Sequence, residues 1–129
     1  MLALGGALLS GCSGSTLSKD DLRLAAGDIR SFAAAADLLA REQMAGHLTG
    51  AFVNNQSQLL LEKVNSTNKT LDSAAGEFEP YRTQLVQITS ALSPALSDIE
   101  NSGTVDPQLL SKMTGQARSI EEALKKQIP

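Results

Sequence analysis

The most reactive side chain in this sequence is the thiol of Cys12, the only cysteine of the chain. One cysteine cannot form an internal disulfide, and one thiolate cannot build a cysteine-based zinc site. The chain also has a single histidine, so the sequence offers no paired-histidine metal site. These counts leave covalent modification as the chemistry that Cys12 could support.

His47 and Met44 are the next residues of interest, because imidazole nitrogen and thioether sulfur both bind copper or haem iron. They are separated by about one helical turn, which is too little for them to hold opposite faces of a haem. The sequence shows no further ligand for such a site. We therefore expect His47 to be a solvated or hydrogen-bonded residue of an inter-helix turn, and we predict no metal ion and no other cofactor.

Carboxylates are spread along the chain, and two of them could meet in space to act as an acid–base pair. The glutamates are Glu42, Glu62, Glu77, Glu79, Glu100, Glu121 and Glu122. No spacing singles out a pair, so we expect these side chains to be solvated. The sequence therefore predicts no catalytic residue and no enzyme activity.

The N-terminal segment, residues 1–11, reads MLALGGALLSG and carries no charged side chain. It is shorter than the roughly 20 apolar residues that span a bilayer. Its length and character are those of the hydrophobic region of a signal peptide. It ends in Leu9-Ser10-Gly11-Cys12. This stretch resembles the lipobox of bacterial lipoproteins, and the resemblance covers the first dozen residues.

The resemblance implies that residues 1–11 are removed as a signal peptide and that the Cys12 thiol receives a diacylglyceryl group. The new amino terminus would then be acylated, and several acyl chains anchor stably because each buried CH₂ contributes about 0.8 kcal/mol. Small residues follow, which suit a flexible tether at 12–17. In lipoproteins of enteric-type bacteria, a serine such as Ser13 after the cysteine implies sorting to the outer membrane. We expect the protein on the periplasmic face.

The missing positive charge before Lys19 leaves alternatives open at the N-terminus. A signal peptide usually begins with a positively charged region, whereas the first basic residue here is Lys19. Either the natural start lies upstream of Met1, or export depends on a weaker signal. The alternative to the lipoprotein interpretation is that residues 1–11 form a short buried helix and that Cys12 is an inert thiol.

The composition indicates a folded, helical protein. Hydrophobic residues make up 42% of the 129 residues and the net charge is −3, which is unlike a disordered chain. Aromatic residues are 3% and tryptophan is absent, so the core must consist mainly of aliphatic residues that suit closely packed helices. The chain has no cluster of lysine and arginine, and we therefore expect no nucleic-acid partner.

Apolar residues recur at spacings of three and four from Ser18 onward, which predicts amphipathic helices. The predicted helices are at about 18–45, 50–76, 80–100 and 107–126. The predicted apolar stripe of the fourth helix is Leu109, Met113, Ala117, Ile120 and Leu124. Short connections between the helices favour an up-down-up-down four-helix bundle, so that residues 18–129 form one all-α domain.

Capping residues support these boundaries. Ser18, Thr49 and Asp106 each precede a helix, where a side-chain oxygen can accept a hydrogen bond from the first turn. Gly46 suits the position after a helix, where a left-handed conformation is common.

Two prolines affect the third helix. Gly76 followed by Pro80 predicts a turn, with Pro80 in the first turn of the helix. A single long helix bent at Pro80 is the alternative, because the apolar spacing continues in phase across this region. Pro94 is expected to kink the third helix or to end it early, since proline removes a backbone donor.

Two functions fit these features. The first is a membrane-anchored, non-catalytic module that binds or scaffolds an unknown protein partner, for which we expect an exposed apolar patch. The alternative is a small-molecule-binding or sensor-accessory bundle, which needs a pocket between helices. Only Phe32, Phe52, Phe78 and Tyr81 could line such a pocket with rings. The polar run at 54–58 could form a recognition surface, but we expect it to be solvated.

Overall fold

The computed structural model describes residues 16–73, 75–76, 78–101 and 105–127. Within them the chain forms four helices, α1 to α4, at Lys19–Met44, Gly50–Ser73, Glu79–Glu100 and Pro107–Gln127. Two short strands, β1 (Thr16–Leu17) and β2 (Ala75–Gly76), pair in parallel beside the helices. The predicted all-α, up-down-up-down four-helix bundle is confirmed.

The first helix begins and ends at the residues that the sequence indicated. Ser18 Oγ accepts the backbone N–H of Asp21 at 3.1 Å, and the Asp21 carboxylate accepts the N–H of Ser18 at 3.2 Å. This reciprocal pair is a capping box. Ala45 caps the other end, and Gly46 follows it with φ of 77°. Glycine adopts this left-handed conformation readily because it has no Cβ.

Side-chain oxygens also cap the starts of α2 and α4, as predicted. Thr49 Oγ1 accepts the N–H of Phe52 at 3.1 Å. Asp106 Oδ1 accepts the N–H of Gln108 at 3.0 Å. Each bond satisfies a backbone donor that has no partner within its own helix.

The connection between α2 and α3 is a true break. α2 ends at Ser73, and α3 begins at Glu79 with Pro80 in its first turn. The predicted turn is therefore confirmed, and the alternative of one bent helix is wrong. Ala75 and Gly76 pair with β1 in an extended conformation, which explains why α2 ends before the predicted residue 76.

Arg82 joins the end of α2 to the start of α3. Its Nη1 donates to the carbonyl of Leu71 at 2.7 Å, one of the last carbonyls of α2, which lack a partner within the helix. Its Nε and Nη2 donate to the two carboxylate oxygens of Glu79, at 2.8 and 2.6 Å. Hydrogen bonding to Glu79 raises the pKa of Arg82 further above its ordinary value.

Pro94 does not end α3, which continues to Glu100. The expectation of an early end is wrong because Pro94 lies on the exposed side of the helix. The proline removes the donor for the carbonyl of Ser90, which is also on the exposed side. On the opposite side Leu92 and Leu96 are fully buried, and this packing holds the helix together.

Helix packing is uneven around the bundle. α1 packs most extensively along α4 and α2 along α3, while the α1–α2 and α3–α4 seams have far less contact. The large aliphatic side chains with almost no exposure are Leu22, Ile29, Leu71, Leu85, Leu92, Leu96, Ile99, Leu110 and Leu124. The bundle therefore consists of two closely packed helix pairs that share one core.

Small residues allow α1 and α4 to approach each other. A Cβ on Gly27 would lie 3.0 Å from Glu121 Oε2, so glycine leaves the space in which this carboxylate lies against α1. Arg30 Nε donates to Glu121 Oε1 at 2.8 Å, which links the two helices. Ala33 and Ala36 are fully buried on the same helix.

The buried stripe of α4 differs from the predicted one at its first residue. Leu110 is fully buried, whereas the predicted Leu109 is 44% exposed. Both leucines fit helical spacing to Met113, so periodicity alone does not separate them. Val105, which precedes the Asp106 cap, is also buried. Val105 and Leu110 hold the two positions of a hydrophobic staple, which explains why Leu110 faces inward.

Replacing Ala33 by leucine tests the close packing of α1. We expect Ala33→Leu to lower the free energy of unfolding by about 1–3 kcal/mol, because extra methylenes must fit into a filled core. The exposed neighbour Ala34 gives the matched control. Ala34→Leu should change the free energy of unfolding by less than about 0.5 kcal/mol. Urea unfolding followed by circular dichroism measures both. Equal effects of the two substitutions would contradict the close packing at Ala33.

Candidate functional site

An apolar groove lies along the α1–α2 seam, beside the connection between these helices. We call it the connection groove, and its volume is about 350 Å³. Its lining residues are Ala35, Leu38, Leu39, Glu42, Leu48, Phe52, Gln56 and Leu60. Only Glu42 and Gln56 among them have polar side chains. The groove exists because α1 pairs with α4 and α2 with α3, which leaves the seam between α1 and α2 loosely filled.

Exposed apolar side chains concentrate on this side of the bundle. Six large apolar residues are exposed within the described part of the chain, and all but Leu109 belong to α1 or α2. Leu38 is 62% exposed and Phe52 is 48% exposed. We define the α1–α2 face by Leu24, Leu38, Phe52 and Leu59. Apolar residues collected on one face mark an interaction surface more clearly than the same residues scattered singly.

A second groove, of about 310 Å³, continues the same seam near the β1–β2 pair. We call it the strand-end groove. Its α1 wall contains Leu24 and Ala25 between the carboxylates of Asp21 and Asp28. Its α2 wall contains Ser66, Thr67, Thr70 and Leu71. The two grooves make the α1–α2 face an elongated surface along the helices.

The α1–α2 face has an acidic rim. Asp21, Asp28 and Glu42 line the two grooves, and none of the lining residues is basic. The exposed Lys63 of α2 belongs to neither lining. The lining carboxylates give the two grooves a negative potential. Lys63 lies on the same side of α2, one heptad from Gln56 and from Thr70, and the His47 imidazole lies beside Glu42.

The arginines of α1 do not neutralise this rim, because each is bound to another carboxylate. Arg23 pairs with Asp20 at 2.7 Å and Arg41 with Asp37 at 2.9 Å, both within α1. The third, Arg30, is the residue that pairs with Glu121 of α4. The three guanidinium groups of α1 thus pair with carboxylates outside the groove linings.

The possible metal ligands do not form a metal site. The predicted place of His47 in the α1–α2 connection is confirmed, and its Nδ1 lies 3.2 Å from Glu42 Oε1. Met44 is exposed. In the described ranges, no group of three or more histidine, cysteine, aspartate or glutamate side chains could hold a metal ion. Glu42 is also one of the residues that line the connection groove.

One of the four candidate rings lines a groove, and the other three pack against the core. Phe52 lines the connection groove. Phe32, Phe78 and Tyr81 are half-buried and pack against the hydrophobic core. The Lys19 ammonium lies 5.2 Å from the centre of the Phe78 ring, a cation–π contact near β1.

The polar run at 54–58 is distributed around α2. Asn54 and Asn55 are exposed as expected, Gln56 lines the connection groove, and Gln58 donates to Glu100 at 2.8 Å. Ser57 is fully buried, and its Oγ has no hydrogen-bond partner among the described residues. Ser57 is in phase with the buried residues of α2, so helical spacing predicts that it is buried. Its polar hydroxyl group predicts the opposite.

A second polar cluster joins α2 to α3 on another side of the bundle. Asn68 Nδ2 donates to Thr89 Oγ1 at 2.7 Å and to Ser90 Oγ at 3.2 Å. Ser93 Oγ donates to Asn65 Oδ1 at 3.0 Å. These groups line a recess of about 300 Å³, and their hydrogen bonds connect α2 to α3.

The α3–α4 seam contains a more polar groove, of about 380 Å³. Its rim includes Gln84, Gln87, Gln116 and Lys112 around Leu109 and Met113. Its lining is therefore less suited than the α1–α2 face to an apolar partner, and it provides a matched control surface.

Comparisons with protein-family models, with curated proteins and with solved structures find no match to this chain. None of the helices in the described residues is long and apolar enough to cross a membrane. Residues 1–15, with the predicted signal peptide, Cys12 and most of the predicted tether, lie outside the described part of the chain. The last two residues of that tether, Thr16 and Leu17, form β1.

Removing the Asn68 side chain tests the α2–α3 cluster. We expect Asn68→Ala to lower the free energy of unfolding by about 1 kcal/mol, because two hydrogen bonds between helices are lost. Asn54→Ala on the same helix is the control, since Asn54 is exposed and alanine favours the helix. Thermal unfolding of both variants measures the difference. A loss as large in Asn54→Ala would show that the effect is not specific to the cluster.

Proposed function

We propose that this chain is a bacterial lipoprotein, anchored in the outer membrane through lipid on Cys12 and facing the periplasm. In this proposal the helical bundle is a non-catalytic module that binds or scaffolds a protein partner. Leu9-Ser10-Gly11-Cys12 supports the anchor. The single observation that carries the interaction role is the exposed α1–α2 face, where apolar side chains collect on one side of a bundle with a filled core.

The position of β1 supports a particular orientation on the membrane. Thr16 and Leu17 follow closely after Cys12 and are paired with Ala75 and Gly76. The lipid would therefore hold the end of the bundle at which α1 begins. Leu38 lies about 28 Å along α1 from Lys19 at 1.5 Å per residue. The connection groove would thus stand at the far end, accessible to a partner in the periplasm.

A small-molecule-binding bundle is the second candidate, and one observation favours it. The connection groove combines an apolar lining with two polar side chains, Glu42 and Gln56, as ligand sites often do. The groove is open along its length, however, and Leu38 and Phe52 remain about half exposed or more. A protein partner would cover these exposed apolar side chains more completely than a small ligand would.

Intact mass of the protein purified from membranes of a Gram-negative host tests the anchor. We expect the mature chain to begin at Cys12 and to carry the added mass of three acyl chains. Cys12→Ala should retain residues 1–11 or lose its membrane association, because the acceptor thiol is gone. A soluble wild-type chain that keeps residues 1–11 unmodified would overturn the lipoprotein proposal.

A variant at the next position gives the matched control. Ser13→Asp keeps the Cys12 thiol and should still be lipidated, but it should move from the outer to the inner membrane in a host with enteric-type sorting. Separation of the two membranes on a density gradient measures the change. A lipidated wild-type chain found in the inner membrane would contradict the outer-membrane assignment while leaving the anchor intact.

A further inference from the structure

We propose that the α1–α2 face binds an amphipathic helix of a partner protein, with basic residues beside its apolar stripe. This inference rests on the proposed interaction function and specifies the chemistry of the partner. It follows from three properties of the face: its shape, its apolar residues and its charge.

The shape of the face suits a helix. Leu24 and Leu38 lie two heptads apart on α1, a distance of about 21 Å at 1.5 Å per residue. On α2, the exposed Phe52 lines the connection groove, and Leu59, one heptad further along, is exposed but belongs to neither groove lining. The apolar rows of Leu24 and Leu38 on α1 and of Phe52 and Leu60 on α2 border the loosely filled seam and form a trough. An apolar stripe on a third helix can enter such a trough through residues spaced at three and four.

The charge of the face identifies the partner as basic. Asp28 and Glu42 are also two heptads apart, and they flank the groove linings on α1. Asp28 is exposed and makes no ion pair with another described residue. Lysine or arginine beside the apolar stripe of an incoming helix would meet these carboxylates. Such complementarity steers association and selects among partners.

The same charges disfavour two other occupants. In a symmetric dimer through this face, the acidic rims of two copies would meet, and like charges placed together oppose association. An anionic lipid surface would also be repelled by Asp28 and Glu42. A basic helix is the occupant that uses both the apolar rows and the carboxylates.

Fluorescence anisotropy with synthetic peptides tests the proposal. The probe is a labelled three-heptad peptide with leucine at the a and d positions and lysine at e and g. Its twin has glutamate in place of every lysine. The protein is the full 129-residue chain with Cys12→Ala, which keeps it free of lipid. We expect the lysine peptide to bind about tenfold more tightly than the glutamate peptide at low salt.

Variants then locate the binding surface. Leu38→Asp should weaken binding of the lysine peptide by about tenfold or more, because a charge would enter the apolar trough. Leu109→Asp, at the comparably exposed leucine of the α3–α4 groove, should leave the affinity within about twofold. The Asp28→Lys, Glu42→Lys double variant should reverse the preference and bind the glutamate peptide more tightly. Circular dichroism verifies that each of these surface variants is folded.

Several outcomes would overturn the inference. One is an equal loss of affinity in Leu38→Asp and Leu109→Asp, and another is an unchanged preference in the double variant. Light scattering that finds a dimer abolished by Leu38→Asp would assign the face to a second copy. Leu38-dependent binding to phosphatidylcholine vesicles would assign it to lipid. The peptide affinities are measured in solution and do not depend on lipidation of Cys12. If Cys12 is not lipidated, the intact-mass measurement shows it and the peptide affinities are unchanged.

Discussion

The close packing of α1 against α4 determines most of what this molecule presents to its surroundings. The buried residues of α1 alternate at spacings of four and three, and several are alanine, which gives a narrow stripe and a short distance between helices. Gly27 and Arg30 of α1 both meet Glu121 of α4 and fix the contact at this point. The narrow apolar stripe of α1 packs mainly against α4. Little apolar surface of α1 is then left to pack against α2, so the α1–α2 seam stays open.

This division into pairs places the grooves at the surface and not within the core. The described core is filled by aliphatic side chains, and the polar groups inside it, Ser57 and Thr89, are small. Leu24 and Leu38 lie off the buried stripe of α1, so the fold does not need them for its own packing. Their exposure has a solvation cost that the isolated chain does not recover. A surface of this kind is consistent with a partner that covers it.

The sequence predicted the parts of the fold that local chemistry decides. Ser18, Gly46, Thr49 and Asp106 mark helix ends through bonds to neighbouring backbone groups, and all are found where expected. It did not predict the β1–β2 pair, which depends on residues distant in the chain.

Helical periodicity predicts which side of a helix faces the core, but it does not predict which neighbouring helix that side contacts. The pairing of α1 with α4, and hence the open seam and its exposed leucines, therefore could not be predicted from spacing alone. Of the candidate site residues, Glu42, Phe52 and Gln56 line the connection groove. Any partner helix would cover a small area there, so its affinity for a free bundle would be modest. Anchoring through Cys12, as proposed, would confine the protein to a thin layer beside the membrane, where raised effective concentration compensates for a weak contact.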